Sequence, residues 1–129
     1  MLLMLQMRRL SPFIIVVLVL LSTSARAEPL TETQKIEALI QHVNDLKDAT
    51  FIRNGKEHTP PDAAKHMRDK WQWKKSEIKT AADFITIAAS KSSMSGKPYL
   101  IRFKGGKEVQ SAMYLRAQLK KLEEPEKDV

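Results

Sequence analysis

Residues 50–73, TFIRNGKEHTPPDAAKHMRDKWQW, decide the fold. Thr50 to Arg53 is a short strand-forming run, and the Asn54-Gly55 pair behind it is the strongest short signal for a two-residue hairpin, because both turn positions need positive φ. Lys56 to His58 is the polar returning arm. Thr59 then offers a hydroxyl N-cap and Pro60 a first helical residue whose missing N–H costs nothing there, while Ala63, Ala64, Met67 and Trp71 line one face at helical spacing. Strand, turn, strand and helix thus follow one another directly, which predicts an α+β chain.

Upstream, Ile36, Leu39, Ile40, Val43 and Leu46 recur at spacings of three and four, and Thr31 with Gln34 has the spacing of a capping box, so a first helix is predicted over Thr31–Asp48. Downstream of Trp73 a basic linker, Lys74 to Lys79, leads to Thr80, which caps a third helix with Phe84, Ile85, Ile87 and Ala88 inward. Ser92 to Pro98 is a loop. Tyr99 to Phe103 alternates, with Tyr99, Ile101 and Phe103 on one side, and Gly105-Gly106 turns it toward Lys107, Glu108 and Val109 as a second hairpin. Ser111 opens the last helix, with Ala112, Leu115, Leu119 and Leu122 buried, and the tail from Glu123 to Val129 is expected to fray. FIRNGKEHTPPDAAKHMR laid on LIRFKGGKEVQSAMYLR shows a faint echo: an Ile-Arg strand, a Gly-Lys-Glu turn and a helix ending in Arg occur twice, with unequal spacing. The expectation is a small single domain of about four helices and two short β-hairpins.

The N-terminus sets the compartment. Arg8 and Arg9 form a positive n-region, Phe13 to Leu21 an unbroken apolar stretch, and Ala25-Arg26-Ala27 the small residues a signal peptidase requires, so residues 1–27 read as a signal peptide cleaved after Ala27. That apolar stretch is less than half of the roughly 20 residues a spanning helix needs, and no second one follows, so no transmembrane anchor is expected after cleavage. Initiation at Met1, Met4 or Met7 gives the same mature chain. The whole sequence carries +7, but three of its 22 basic residues lie in the signal and all 15 acidic ones beyond it, which leaves +4 over residues 28–129. One domain with one core fits that length. There is no cysteine, which excludes disulfides, a lipoprotein anchor and thiolate metal chemistry, and points to a disulfide-free periplasmic domain.

Several motifs invite chemistry. The loop Ser90 to Pro98, SKSSMSGKP, concentrates four hydroxyls and two lysines that suit a phosphate, a carboxylate or a sugar, and Ser92, Ser93, Ser95 and Lys97 are its candidate ligand-binding residues, with Arg53 and Arg102 beside them if the hairpins pair. Ordinary turn chemistry explains the same residues: Lys91 complements a helix C-terminus, serines and Gly96 suit a turn, and Pro98 stops the helix. It is no P-loop, since Lys91 stands in place of the first glycine and Pro98 in place of the final hydroxyl. Ser95 precedes Lys97 by two residues, without the spacing of a serine–lysine hydrolase. Asp62 and His66 stand at i, i+4 and could share an ion with His58, although no recognised metalloenzyme motif is present and scattered surface histidines explain them equally well. Neither a catalytic residue, a metal nor a cofactor is assigned. Lys65 to Lys79 carries six bases against Asp69 and Glu77 around Trp71 and Trp73; export turns this cluster away from nucleic acid and toward an anionic envelope surface or an acidic protein. Packing of Trp71 beside Met67, with Trp73 at the helix end, accounts for it as well.

FIRNGKEHTPPDAAKHMRDKW, TAADFI and SKSSMSGKPYLIRF, in that order and followed by a short helix, resemble the YfeK-like family of small exported bacterial proteins of unknown function. The similarity covers most of residues 36–122. It implies a single periplasmic domain and supplies no activity, ligand or catalytic residue. The functional expectation is a non-enzymatic binding or accessory module for an envelope protein or an anionic envelope ligand. The alternative is a small periplasmic hydrolase acting on an envelope polymer, with acid and base drawn from Asp62, His66 or Glu57.

Overall fold

The computed structural model describes residues 28–124; the expected signal peptide, residues 1–27, and residues 125–129 of the tail lie outside them. The elements run α1 (Glu32–Asn44), β1 (Ala49–Arg53), β2 (Lys56–His58), α2 (Pro60–Trp73), α3 (Ala81–Ala88), β3 (Leu100–Phe103), β4 (Glu108–Gln110) and α4 (Ser111–Glu123). This is the expected α+β domain, with four helices on a four-stranded antiparallel sheet. Among the described residues no helix is long and apolar enough to cross a membrane.

Local chemistry sets the element ends. Thr31 and Gln34 form the reciprocal capping box of α1, Thr59 accepts from the Asp62 amide at α2, and Thr80 with Asp83 makes a second box at α3. Helix α1 stops at Asn44, capped by Asp45 and four residues short of the expected Asp48, and Asp48 at φ 53° then turns the chain into β1. Asp tolerates this left-handed conformation better than most residues. At the other end α4 runs through Glu123, so the fraying expected to begin at that residue does not: its carboxylate holds Lys35 of α1 at 2.9 Å.

The core lies between helices and sheet. Leu39, Val43, Phe84, Ile85, Ile101 and Leu115 are fully buried, and Trp71 meets Phe84 edge-on at 6.3 Å between ring centroids. The sheet order is β2-β1-β3-β4, so the two hairpins join through their first strands, with Phe51 opposite Ile101 and Ile52 opposite Leu100. Directly opposed residues share a face of a sheet. Ala49, Phe51, Arg53, His58, Ile101, Phe103 and Val109 therefore face the helices, whereas Thr50, Ile52, Glu57, Leu100, Arg102 and Glu108 lie on the outer face.

The sequence echo has a structural counterpart with a slip in it. A hairpin followed by a helix occurs twice, and the buried α2 residues Ala63, Ala64, Met67 and Trp71 match Ser111, Ala112, Leu115 and Leu119 of α4, each 48 positions on. In the strands, Phe51 stands opposite Ile101 on the inner face, whereas the Ile-Arg match sets it against Leu100, which lies on the outer face. A one-residue slip moves every side chain to the other face. Arg53 and Arg102, equivalent in the echo, thus lie on opposite sides of the sheet.

Candidate functional site

Arg53 closes β1 on the inner face, where Asn54 and Gly55, at φ 52° and 74°, begin the turn. Its guanidinium Nη1 lies 2.8 Å from Nδ1 and 2.9 Å from Nε2 of His66 on α2. A donor in the ring plane at equal distance from both nitrogens would collide with the carbon between them, so the guanidinium lies over the imidazole face. The ring edge is left to Tyr99, whose hydroxyl is 3.3 Å from Nε2.

One turn further along α2, Lys70 is only 6% exposed. Its Nζ donates to the Lys91 carbonyl at 3.0 Å and to the Tyr99 hydroxyl at 3.3 Å, and lies 5.4 Å from the Tyr99 ring centroid. Among the described residues no carboxylate forms an ion pair with Arg53 or Lys70. Burial, reinforced by the Arg53 and Lys74 charges, pushes the Lys70 ammonium below its ordinary pKa. Burial likewise lowers His66, with Arg53 and Lys70 adding to it, and raises the Tyr99 phenol. A cation held out of water without an acidic partner is an unfavourable arrangement that an anion would relieve.

These groups border a cavity of about 450 Å³, walled by Arg53, His66, Lys70 and Tyr99, by Ser92 and Ser93 of the loop, and by Trp73 and Met94. A smaller chamber of about 100 Å³ lies behind Arg53, His66 and Tyr99, among Phe51, Met67, His58 and Asp62. The two share the Arg53–His66–Tyr99 partition.

The loop serines serve mostly to build this wall. Ser92 is buried, and its Oγ accepts from Asn54 Nδ2 at 3.1 Å and from the amides of Met94 and Ser95 at 3.3 and 3.4 Å. The Ser95 hydroxyl donates to Asn54 Oδ1 and accepts from the Lys97 amide at 3.2 Å. The loop is thereby pinned to the turn that carries Arg53. Of the six candidate residues, Arg53, Ser92 and Ser93 come together at the cavity, while Ser95 and Lys97 lie outside its lining. Arg102 sits on the opposite face, ion-paired with Glu57 and, at 3.9 Å, with Glu108.

Two of the three acid–base groups considered for a hydrolase come together and the third does not. Asp62 and His66 border the small chamber, but Glu57 is on the outer face with Arg102. Among the described residues no group of three His, Cys, Asp or Glu side chains could hold a metal.

Lys70 and Tyr99 were not among the site residues considered from sequence, and His66 was considered only as a metal or acid–base group beside Asp62. A signal for Lys70 was present: it stands three residues after Met67 and seven after Ala63, on the apolar stripe of its helix, where a lysine is out of place. Tyr99 carried no comparable mark, and nothing local pointed His66 toward Arg53, because only the tertiary fold brings β1, α2 and the start of β3 together.

Comparison with known proteins adds kinship without a function. Residues 30–123 match the model of a family of unknown function (DUF5329). An uncharacterised protein, YfeK, of Salmonella typhimurium strain LT2 is 41% identical over 68 residues, which cover 53% of this chain and 57% of that relative. No solved structure matches.

Proposed function

We propose, for a chain that belongs to the family of unknown function DUF5329, that it is an exported, non-enzymatic binding module which captures an anionic group of an envelope ligand in the cavity between Arg53 and Lys70. The observation that carries this reading is the unpaired charge: an arginine, a buried lysine and a histidine face one cavity, and among the described residues none has a carboxylate ion-pair partner. A cavity of about 450 Å³ suits a small ligand, since such sites run from roughly 300 to 1,000 Å³. Arg53 supplies a planar fork for a phosphate or carboxylate, Lys70 a point charge, and Tyr99 a hydroxyl donor. The signal peptide read at residues 1–27 supports export to the periplasm.

The test is a thermal-shift and calorimetric titration of the protein lacking residues 1–27 with orthophosphate and acetate. A ligand at 100 times its Kd adds about 2.7 kcal/mol, which for a domain of this size raises Tm by roughly 10 °C or more. Lys70→Met removes a buried, unpaired charge, so it is expected to keep or raise the basal Tm while losing the ligand-induced shift. No response to either anion, or an equal response in the variant, would contradict the reading.

A further inference from the structure

Leu30, Trp73, Met94 and Met113 are the large apolar side chains left exposed among the described residues. Two of them, Trp73 at 74% and Met94 at 98% exposure, border the same cavity, although they come from elements far apart in sequence. Trp73 is the last residue of α2, and Met94 lies in the loop that Ser92 and Ser95 tie to the Asn54 turn. Both stand at the rim, with Lys70 deep between them and the Tyr99 ring forming part of the floor. A site for a bare inorganic anion has no use for an indole and a thioether at its mouth, since water and lysines would serve. An anion that carries an aromatic or other apolar group would place its charge on Arg53 and Lys70 and lay that group on Trp73 and Met94. Aromatic faces and methionine sulfur both favour such contacts.

We infer that the ligand of this cavity is an amphiphilic anion: a phosphate or carboxylate joined directly to an aromatic or compact apolar group, entering as a free molecule. This rests on the anion-binding reading above and narrows it. Lys70 is nearly buried, so a headgroup held in the plane of a bilayer does not reach it, whereas a small soluble ester or acid does.

The experiment compares Kd for orthophosphate and phenyl phosphate by calorimetry, in the protein lacking residues 1–27 and in its Trp73→Ala variant. Trp73 is exposed, so its removal spares the core. The expected result is about a tenfold preference for phenyl phosphate that collapses toward parity in Trp73→Ala, a ratio within the range of aromatic stacking. Equal affinity for the two in the parent protein, or a preference that survives Trp73→Ala, would overturn the inference and leave the anion site standing. Binding of neither compound would overturn both. Phosphatidylglycerol vesicles are expected not to displace phenyl phosphate; displacement would assign the surface to a membrane and overturn the inference.

Discussion

Lys70 and His66 show how much a single side chain depends on what faces it. His66 lies on α2 with Lys70 and Asp69 on its own helix, Arg53 from β1, His58 from β2 and Tyr99 from the start of β3 around it. Burial first, then the Arg53 and Lys70 charges, hold its pKa below the usual 6.5. The native state therefore binds fewer protons than the unfolded chain just below pH 6.5. This contribution to stability is intact above that pH and is lost as the pH falls through the lowered native pKa. A bound anion opposes the two cations and favours protonated His66, so ligand affinity runs the other way and rises on acidification. Sulfate, which keeps its charge over the range, is expected to bind several-fold more tightly at pH 5.5 than at 7.5. His66→Gln is expected to flatten both the sulfate profile and the acid loss of Tm. Calorimetry and thermal melts across the range check this, and parallel profiles in parent and variant would contradict it.

Among the elements, the first hairpin matters most, because its turn aims Arg53. Gly55 at φ 74° has open space where a Cβ would stand, so the cost of Gly55→Ala is conformational rather than steric crowding. A left-handed residue with a Cβ costs about 1–2 kcal/mol, so a fall in Tm of at least roughly 4–8 °C is expected, with weaker anion binding as Asn54 shifts away from Ser92 and Ser95. Thermal melts read it; an unchanged Tm would show that the turn does not need this conformation. The element plan was legible in sequence because capping threonines, Asn54-Gly55 and apolar spacing are local signals. Less was legible of the site. Ser92, Ser93 and Arg53 were found by the density of hydroxyls and charge, but Ser92 turns its hydroxyl to Asn54, and Arg102 was separated from Arg53 by a face assignment that only the pairing of β1 with β3 decides.

At the scale of the whole molecule, the two hairpin–helix units meet in one sheet and differ in what fills the space beneath the first strand. Tyr114, 48 positions after His66, is the counterpart of that histidine on the matching helix face. In the second unit Phe103 and Tyr114 pack at 5.3 Å between ring centroids, and His42 of α1 meets the Tyr114 hydroxyl at 2.8 Å. In the first unit His66 meets Arg53 of β1 instead, and a cavity remains. The central claim is that this cationic pair, where the other unit has an aromatic one, makes the first unit an anion site. Its most direct test is a sulfate titration followed by amide and side-chain NMR, in the parent protein and in the double variant Arg53→Phe/His66→Tyr, which puts an aromatic pair in place of the cationic one. The account predicts shift changes confined to Arg53, His66, Lys70, Ser92, Ser93 and Tyr99 in the parent, and none in a double variant that still gives a folded spectrum. Changes centred on Arg102, Lys104 and Lys107, or changes at the cavity that persist in the folded double variant, would contradict it.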